Sequence, residues 1–372
     1  MQFTIAREEL LRGLGRAQSV IEKKSTLPIL SNVLVEAKGD TVTIVATDLE
    51  VGVRSVCEAA VDKDGSITVN AKKLFEICKE LETDEIGFKV LSNDWVEITS
   101  GAYSSRLVGL AADDFPVLPA TDTEKTITLN GSLVAEMIDK TQYAISTNET
   151  RYYLNGVYLL IATEDDKKVL RMVATDGHRL SLCDKELPEG FDVDLDGIIV
   201  PKKGVVELRK LVGEADGDVT IGFMERTITA KRSDVELIVR LIDGEYPDYR
   251  QVIPQGNDKI VTCPQDALTR ATRRVAIMAT ELNKGVKVSL ERGAIEISCN
   301  NPNLGTAHEQ LDATYDGPKL EIGFNARYIL DVLGVAASED ILLELSDALS
   351  PCVLRTPADS GFLAVIMPMR LE

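Results

Sequence analysis

The pattern of apolar periodicities along this chain runs through one order three times, and a chain built that way folds as three similar bodies. A short alternating strand and an amphipathic helix open each copy: MQFTIA then EELLRGLGRAQSVI, KTITLN then SLVAEMIDKTQYAI, and DKIVTC then PQDALTRATRRVAIM. Phe3, Ile127 and Ile260 begin the copies, 124 and 133 residues apart. A hairpin of two β-rich runs follows, VLVEA/TVTIVATD, GVYLLIA/LRMVATD and VKVSLE/AIEISCNN, with Val-Ala-Thr-Asp recurring at 45–48 and 173–176. Another strand and helix come next (SITVNAKKLFEICKEL, GIIVPKKGVVELRKLV, KLEIGFNARYILDVLGV). Three more strands then close the copies at Phe115-Pro116, Tyr246-Pro247 and Met367-Pro368. A third of the 372 residues is 124, so the repeats account for the whole chain.

Within each copy the order strand, helix, strands is itself stated twice. The expected fold is therefore α+β, with three repeated domains of two β-α-β-β-β units each. Period-2 alternation marks strands, as in Ile86/Phe88/Val90 and Val96/Ile98, and period 3.6 marks helices, as in Leu74, Ile77, Cys78 and Leu81. Helices are predicted over 6–21, 71–82, 132–145, 202–214, 266–278 and 325–335. Turn chemistry at 119–124 and 254–258 sets the expected domains at 1–122, 123–254 and 255–372.

Charge narrows the function. Lys plus Arg is 41 against 60 for Asp plus Glu, a net −19, which is the wrong sign for gripping nucleic acid by overall charge. The acid is unevenly spread: the six helical stretches together carry +4 and the rest of the chain −23. One helical surface facing phosphate on a body that repels it would give that distribution, although lysine and arginine are also simply good helix formers. The six cysteines are scattered without a Cys-x-x-Cys pair and there are only two histidines, so no zinc, redox or histidine-rich metal site is expected. No run of 18 apolar residues and no leader pattern occurs, so a soluble, cytoplasmic chain without membrane contact is expected.

Catalytic motifs are missing. Asp176-Gly177-His178-Arg179 is the one stretch with an acid/base look, yet no Gly-x-Ser-x-Gly accompanies it, and a turn with Gly177 at its apex is the simpler reading. No Gly-x-x-x-x-Gly-Lys-Ser/Thr or Gly-x-Gly-x-x-Gly opens a helix, so no nucleotide cofactor is expected.

Longer stretches carry a family resemblance. Thr-Leu-Pro-Ile-Leu at 26–30, Thr-Asp-Leu-Glu at 47–50, Arg-Tyr-Tyr-Leu-Asn-Gly at 151–156, Val-Ala-Thr-Asp-Gly-His-Arg-Leu at 173–180, Ile-Val-Pro-Lys-Lys-Gly at 199–204, Tyr-Pro-Asp-Tyr at 246–249, Glu-Ile-Gly-Phe-Asn at 321–325 and Met-Pro-Met-Arg-Leu at 367–371 resemble the bacterial DNA polymerase III β subunits, the replicative sliding clamps. The resemblance runs through all three repeats. It implies three DNA-clamp domains forming a half ring, with outer sheets and inner helices, and a head-to-tail homodimer around duplex DNA. A non-catalytic processivity factor is implied, without cofactor or metal.

The resemblance also implies site residues. Lys24, Lys72, Asn148, Lys202 and Lys203 would face the duplex, without regard to sequence. A partner-peptide groove would comprise Leu154, Thr175, Gly177, His178, Arg179, Leu180, Pro247, Val252, Asn325, Tyr328, Leu349, Val365, Met367, Pro368, Met369 and Arg370. Its implied occupants are the DNA polymerase III catalytic subunit, the clamp loader, other replication and repair polymerases, and mismatch-repair proteins. Leu107, Arg274, Ile277 and Met278 would form the dimer contact. Gln251, Pro351 and Glu372 depart from relatives and bear on which peptides fit. Two other classes stay open at this point: an enzyme using Asp176 and His178, and a monomeric peptide-binding scaffold.

Overall fold

In a computed structural model the chain is described over residues 1–21, 27–121, 123, 125–188, 194–279 and 284–370. The first unit comprises β1 (Gln2–Ala6), α1 (Arg7–Val20), β2 (Asn32–Lys38), β3 (Thr41–Thr47) and β4 (Val51–Lys63). The second has β5 (Gly65–Asn70), α2 (Ala71–Glu80), β6 (Glu85–Val90), β7 (Trp95–Ser100) and β8 (Tyr103–Leu110). In the third stand β9 (Thr126–Asn130), α3 (Gly131–Thr141), β10 (Gly156–Glu164), β11 (Lys167–Thr175) and β12 (Arg179–Glu186). The fourth holds β13 (Ile198–Pro201), α4 (Lys202–Gly213), β14 (Asp218–Phe223), β15 (Thr227–Arg232) and β16 (Val235–Arg240). Then follow β17 (Lys259–Pro264), α5 (Gln265–Ala276), β18 (Gly285–Glu291), β19 (Ala294–Asn301) and β20 (Gly305–Asp312). The last unit is β21 (Leu320–Asn325), α6 (Ala326–Leu333), β22 (Asp340–Leu345), β23 (Cys352–Thr356) and β24 (Asp359–Ile366). Among the described residues the β-α-β-β-β unit thus recurs six times, as the periodicity predicts.

Local chemistry explains the elements. In α1 the residues Leu10, Gly13, Leu14, Ala17 and Val20 are buried, an apolar stripe of helical period. A Cβ on Gly13 would stand 2.7 Å from Ile44, so glycine lets the helix lie directly on β3. Asn70 caps α2 by accepting from the Lys73 amide at 3.0 Å, and Arg7 donates to the Cys78 and Lys79 carbonyls at the helix's other end, where a cation suits the dipole. The helix predicted over 132–145 ends at Thr141 and tightens into a 3-10 turn over Gln142–Ala144. One register differs from expectation. Phe3 and Ile127 face the core, but Ile260 is 52% exposed, and Val261 and Cys263 point inward instead.

Packing gathers the chain into two compact units, residues 1–134 with 203–241, and 135–202 with 242–372. In the first, β1-β6-β7-β8-β5-β2-β3-β4 run in one sheet whose ends meet, since β4 also pairs with β1. β4 is long enough to serve two neighbours: Val51 to Ser55 pair with β16, which continues through β15 and β14 to β9, while Ala59 to Lys63 pair with β1. In the second unit, β13-β10-β11-β12-β24-β23-β22-β17 form one sheet and β20-β19-β18-β21 another. A core of Val261, Leu268, Val288, Ile297, Phe324, Ile329, Leu343 and Phe362 lies beneath α5 and α6. All six cysteines are buried and free; desolvation raises the Cys183 and Cys263 thiols to about 12, so they stay protonated and act as small apolar groups.

Candidate functional site

The Val-Ala-Thr-Asp-Gly-His-Arg stretch makes a tight turn between β11 and β12. Thr175 Oγ1 accepts from the Gly177 amide at 3.1 Å and donates to the Arg179 carbonyl at 2.6 Å. Asp176 Oδ1 accepts from the His178 and Arg179 amides at 2.9 and 3.0 Å, and Gly177 takes φ +87, which glycine alone adopts without cost. The Asp176 carboxylate therefore works on backbone and on Arg179 Nε at 3.1 Å, not on the imidazole, and His178 is exposed. No acid/base dyad is assembled.

Arg179 turns inward from that turn. Its guanidinium pairs with Asp331 at 2.5 Å, donates to the Tyr143 carbonyl at 2.5 Å, and lies over the Tyr328 ring at 4.4 Å and the Tyr143 ring at 5.2 Å. Burial pushes both phenols up, so both rings remain neutral faces for the cation. Three segments distant in sequence are held together by one side chain.

Beside it, Leu154, Leu180 and Val365 pack in an apolar cluster with Tyr246 and Tyr249, and Val252 lies against its edge. Leu180 and Val365 are wholly buried, so they form a floor rather than a reachable wall. Tyr158 stacks on Tyr246, centroids 4.8 Å apart, and Pro247 follows at the surface. β24 pairs Val365 with Leu180 and Ile366 with Arg179, after which the chain leaves the sheet as Met367-Pro368-Met369-Arg370. Met367 N donates to the His178 carbonyl at 2.9 Å and Met369 N to the Gly323 carbonyl at 2.8 Å, pinning this segment along the turn. A pocket of 380 Å³ opens where Pro368, Met369 and Arg370 meet Leu349, itself 75% exposed, and Gly323. Asn325 caps α6 through the Arg327 amide at 2.9 Å and so fixes the helix that carries Tyr328 and Asp331. The residues predicted for the groove are thus all in one compact unit, divided between the tyrosine-rich cluster, the Arg179 clasp and the terminal pocket.

The cations differ more from expectation. Lys72 is exposed and lies 3.7 Å from Glu76, and Lys202 is exposed at the first residue of α4. Asn148 accepts with Oδ1 from the Thr150 amide at 2.9 Å, capping the 3-10 turn over Glu149–Leu154. Lys203 is engaged within the fold: its ammonium pairs with the Asp48 carboxylate and donates to the Val20 carbonyl at 2.7 Å. Lys24, like Glu372, lies outside the described residues. At the predicted dimer contact, Ile277 is 73% exposed and Leu107 half-buried, while Arg274 is bonded to Glu309 on β20. Met278 packs against the core under α5 and is in part structural.

Two supports escaped the sequence reading. Arg171, buried, holds Asp184 at 2.5 Å, Glu164 at 2.7 Å and the Tyr249 hydroxyl at 3.2 Å. Lys140 bonds Glu136 and Asp359, each at 2.5 Å, and lies over the Phe362 ring. The first was within reach, because the β11/β12 register sets Arg171 opposite Asp184. Among the described residues no cluster of three or more His, Cys, Asp or Glu could hold a metal, and no helix is long and apolar enough to cross a membrane.

Comparison with known proteins agrees with this architecture. Family models for the N-terminal, central and C-terminal domains of the DNA polymerase III beta subunit match residues 1–119, 128–248 and 250–370. A beta sliding clamp of Caulobacter vibrioides is 39% identical, with both chains covered completely. A sliding clamp (DNA polymerase III subunit beta) from Bartonella birtlesii, solved bound to griselimycin, superposes over all of both chains with a TM-score of 0.95 at 40% identity. A Caulobacter crescentus beta sliding clamp does so with a TM-score of 0.96 at 39%. Matched in all three domains and along its whole length, the chain belongs to the DNA polymerase III beta subunit family, the sliding clamps, which are non-catalytic processivity factors of DNA replication.

Proposed function

We propose that two copies of this chain join head to tail as a ring around duplex DNA, each giving three clamp domains over 1–122, 123–254 and 255–372. The observation that carries this reading is a pairing rule among the last strands of the six units. β4 pairs with β16, and β12 with β24, so the first unit's last strand meets the fourth's and the third's meets the sixth's. That leaves the last strands of the second and fifth. β8 pairs with β7 and only briefly with β5, at Thr68 with Leu110 and Val69 with Gly109, and among the described residues the one strand paired with β20 is β19. Open edges of this kind invite another strand, and a heterologous contact repeated by two-fold rotation closes on itself.

The ring tethers the DNA polymerase III catalytic subunit and lets it slide. Its C-terminal groove docks extended peptides of the polymerase, the clamp loader, other replication and repair polymerases and mismatch-repair proteins, in the cytoplasm. Methionines 367 and 369 suit that task, because an unbranched thioether repacks around different side chains. Duplex DNA is held by topology and by weak, sequence-independent attraction.

Retention on closed DNA tests the proposal. Protein loaded onto a nicked circular plasmid by a clamp loader should survive a high-salt wash and leave when the circle is cut. Equal retention on linear and circular DNA would overturn it.

A further inference from the structure

The turn between β3 and β4 is closed by the same side-chain-to-backbone bonds as the turn between β11 and β12. Thr47 Oγ1 accepts from the Leu49 amide and donates to the Val51 carbonyl, as Thr175 does with Gly177 and Arg179. Asp48 Oδ1 accepts from the Glu50 and Val51 amides, as Asp176 does from His178 and Arg179. The third position has positive φ in both, +78 at Leu49 and +87 at Gly177. The strand that follows each turn pairs with the last strand of another unit, and there too the backbone agrees: Arg240 N donates to the Glu50 carbonyl at 2.8 Å where Met367 N donates to the His178 carbonyl at 2.9 Å. Arg240 thus stands at the repeat position of Met367.

A pocket of 280 Å³ lies at this first turn. Its wall is the Pro116-Val117-Leu118-Pro119 segment, seated against β4 so closely that a Cβ on Gly52 would meet Leu118 at 2.7 Å. Leu49 and Val117 are exposed apolar groups beside it, and Ile238 lies behind. Arg226 and Arg240 also line it, both exposed. They are adjacent: Thr227 is registered with Arg240, and Leu241 N donates to the Arg226 carbonyl at 3.0 Å. Glu50 is the one acid among the lining residues, so two guanidinium groups face one carboxylate on a chain of net charge −19.

We propose that this pocket is a second peptide-docking site, taking short extended peptides that alternate apolar and acidic residues. The fold is that of the C-terminal groove, and the exchange of methionine for arginine converts an apolar wall into one that forms charge-assisted hydrogen bonds with carboxylates. The apolar floor and the strand-edge geometry favour a peptide over a bare phosphate chain. The inference rests on the peptide reading of the C-terminal groove, and the experiment separates the two.

Full-length protein with labelled Leu, Val and Met methyl groups is titrated by NMR with acetyl-Asp-Leu-Asp-Leu-Asp-amide, with its twin carrying Asn for each Asp, and with a single-stranded oligonucleotide of similar charge. The acidic peptide should shift the Leu49, Val117 and Leu118 methyls and the Asn twin should not. Arg226→Ala with Arg240→Ala should weaken that binding about tenfold or more, as expected for losing charged hydrogen bonds, with an unchanged melting temperature and unchanged retention on circular DNA. Equal shifts from both peptides, shifts only from the oligonucleotide, or no shifts at these methyls would overturn the proposal. Failure of the C-terminal groove appears elsewhere, as absent shifts at the Met367 and Met369 methyls with the Asn twin, so each failure is recognised separately.

Discussion

Asp359 shows how a single carboxylate decides the pH range over which a junction holds. Desolvation pulls its pKa up, but the hydrogen bond and charge of Lys140, the charge of Lys185 and the Gly361 amide together outweigh that and hold it below its ordinary 3.8. Lys140 responds in the opposite sense: burial lowers it, bonds to Asp359 and Glu136 raise it more, and it ends above 10.5. A depressed carboxylate contributes stability above its ordinary pKa and loses it as pH falls through the folded value; a raised lysine contributes below its ordinary pKa and loses it as pH rises through the folded value. The tie therefore holds across neutral pH. Asp359→Asn should cost about 1.5–3 kcal/mol at pH 7, the range for a charged hydrogen bond, read as a lower melting temperature. The gap between variant and parent should close as pH falls through the folded value of Asp359, where the parent is protonated as well. A gap that persists there would mean that packing, not charge, holds Asp359. At this scale the sequence revealed turns and little else. The Thr-Asp turn at 175–176 was legible because its bonds are local, whereas the clasp around Arg179 draws on Tyr143, Tyr328 and Asp331 from separate segments. Asp331 left a trace, since it stands three residues after Tyr328 on one face of α6. Lys203 left none: its partner Asp48 is 155 residues away.

Among elements, periodicity located the six α-helices of the described residues within a few residues, because burial on one face is written at period 3.6, and missed the short 3-10 turns, which have no such face. Strand phase was harder. Ile260 and Val261 are both apolar, so either could face the core, and only the pairing of β17 with β22 decides in favour of Val261. The sequence was equally silent on which strand edges stay open, since that depends on β4–β16 and β12–β24 pairing across repeats. The β8 and β20 edges lead to a dimer test, and its choice of residue matters. Met278 packs into the core under α5, so truncating it confuses folding with association. Ile277 follows the end of α5 and is exposed within one chain. Ile277→Asp should keep the parent's melting temperature measured as monomer and sediment near 40.6 kDa instead of twice that. A variant that stays dimeric at nanomolar concentration would place the contact elsewhere.

For the whole molecule the question is how a chain of −19 stays on a polyanion. Much of the positive charge in the helices is already compensated. Arg16 pairs with Glu214 and Asp234, Arg270 with Asp266, Arg274 with Glu309, and Lys203 with Asp48. Lys72, paired loosely with the exposed Glu76 at 3.7 Å, and Lys202 stand in the first turns of α2 and α4, where the helix dipole disfavours a cation. The helix dipole does not favour them, and the proposed ring would give them phosphate to face. Lys72→Glu with Lys202→Glu should leave the fold about as stable, the dipole gain of about 0.3–1 kcal/mol per site being offset in part at residue 72 by like-charge repulsion from Glu76 one turn on. Equilibrium attraction to short linear duplexes should fall, and its salt dependence should flatten by about 0.9 in log-log slope for each phosphate no longer neutralised. Residence on a closed circle should not change, because a ring that encloses the duplex leaves by opening and not by dissociating ion pairs. Loading the variant onto nicked circles and timing its loss beside the parent measures this, and a half-life that shortens in proportion to the reduced affinity would show that charge, not enclosure, keeps the protein on DNA.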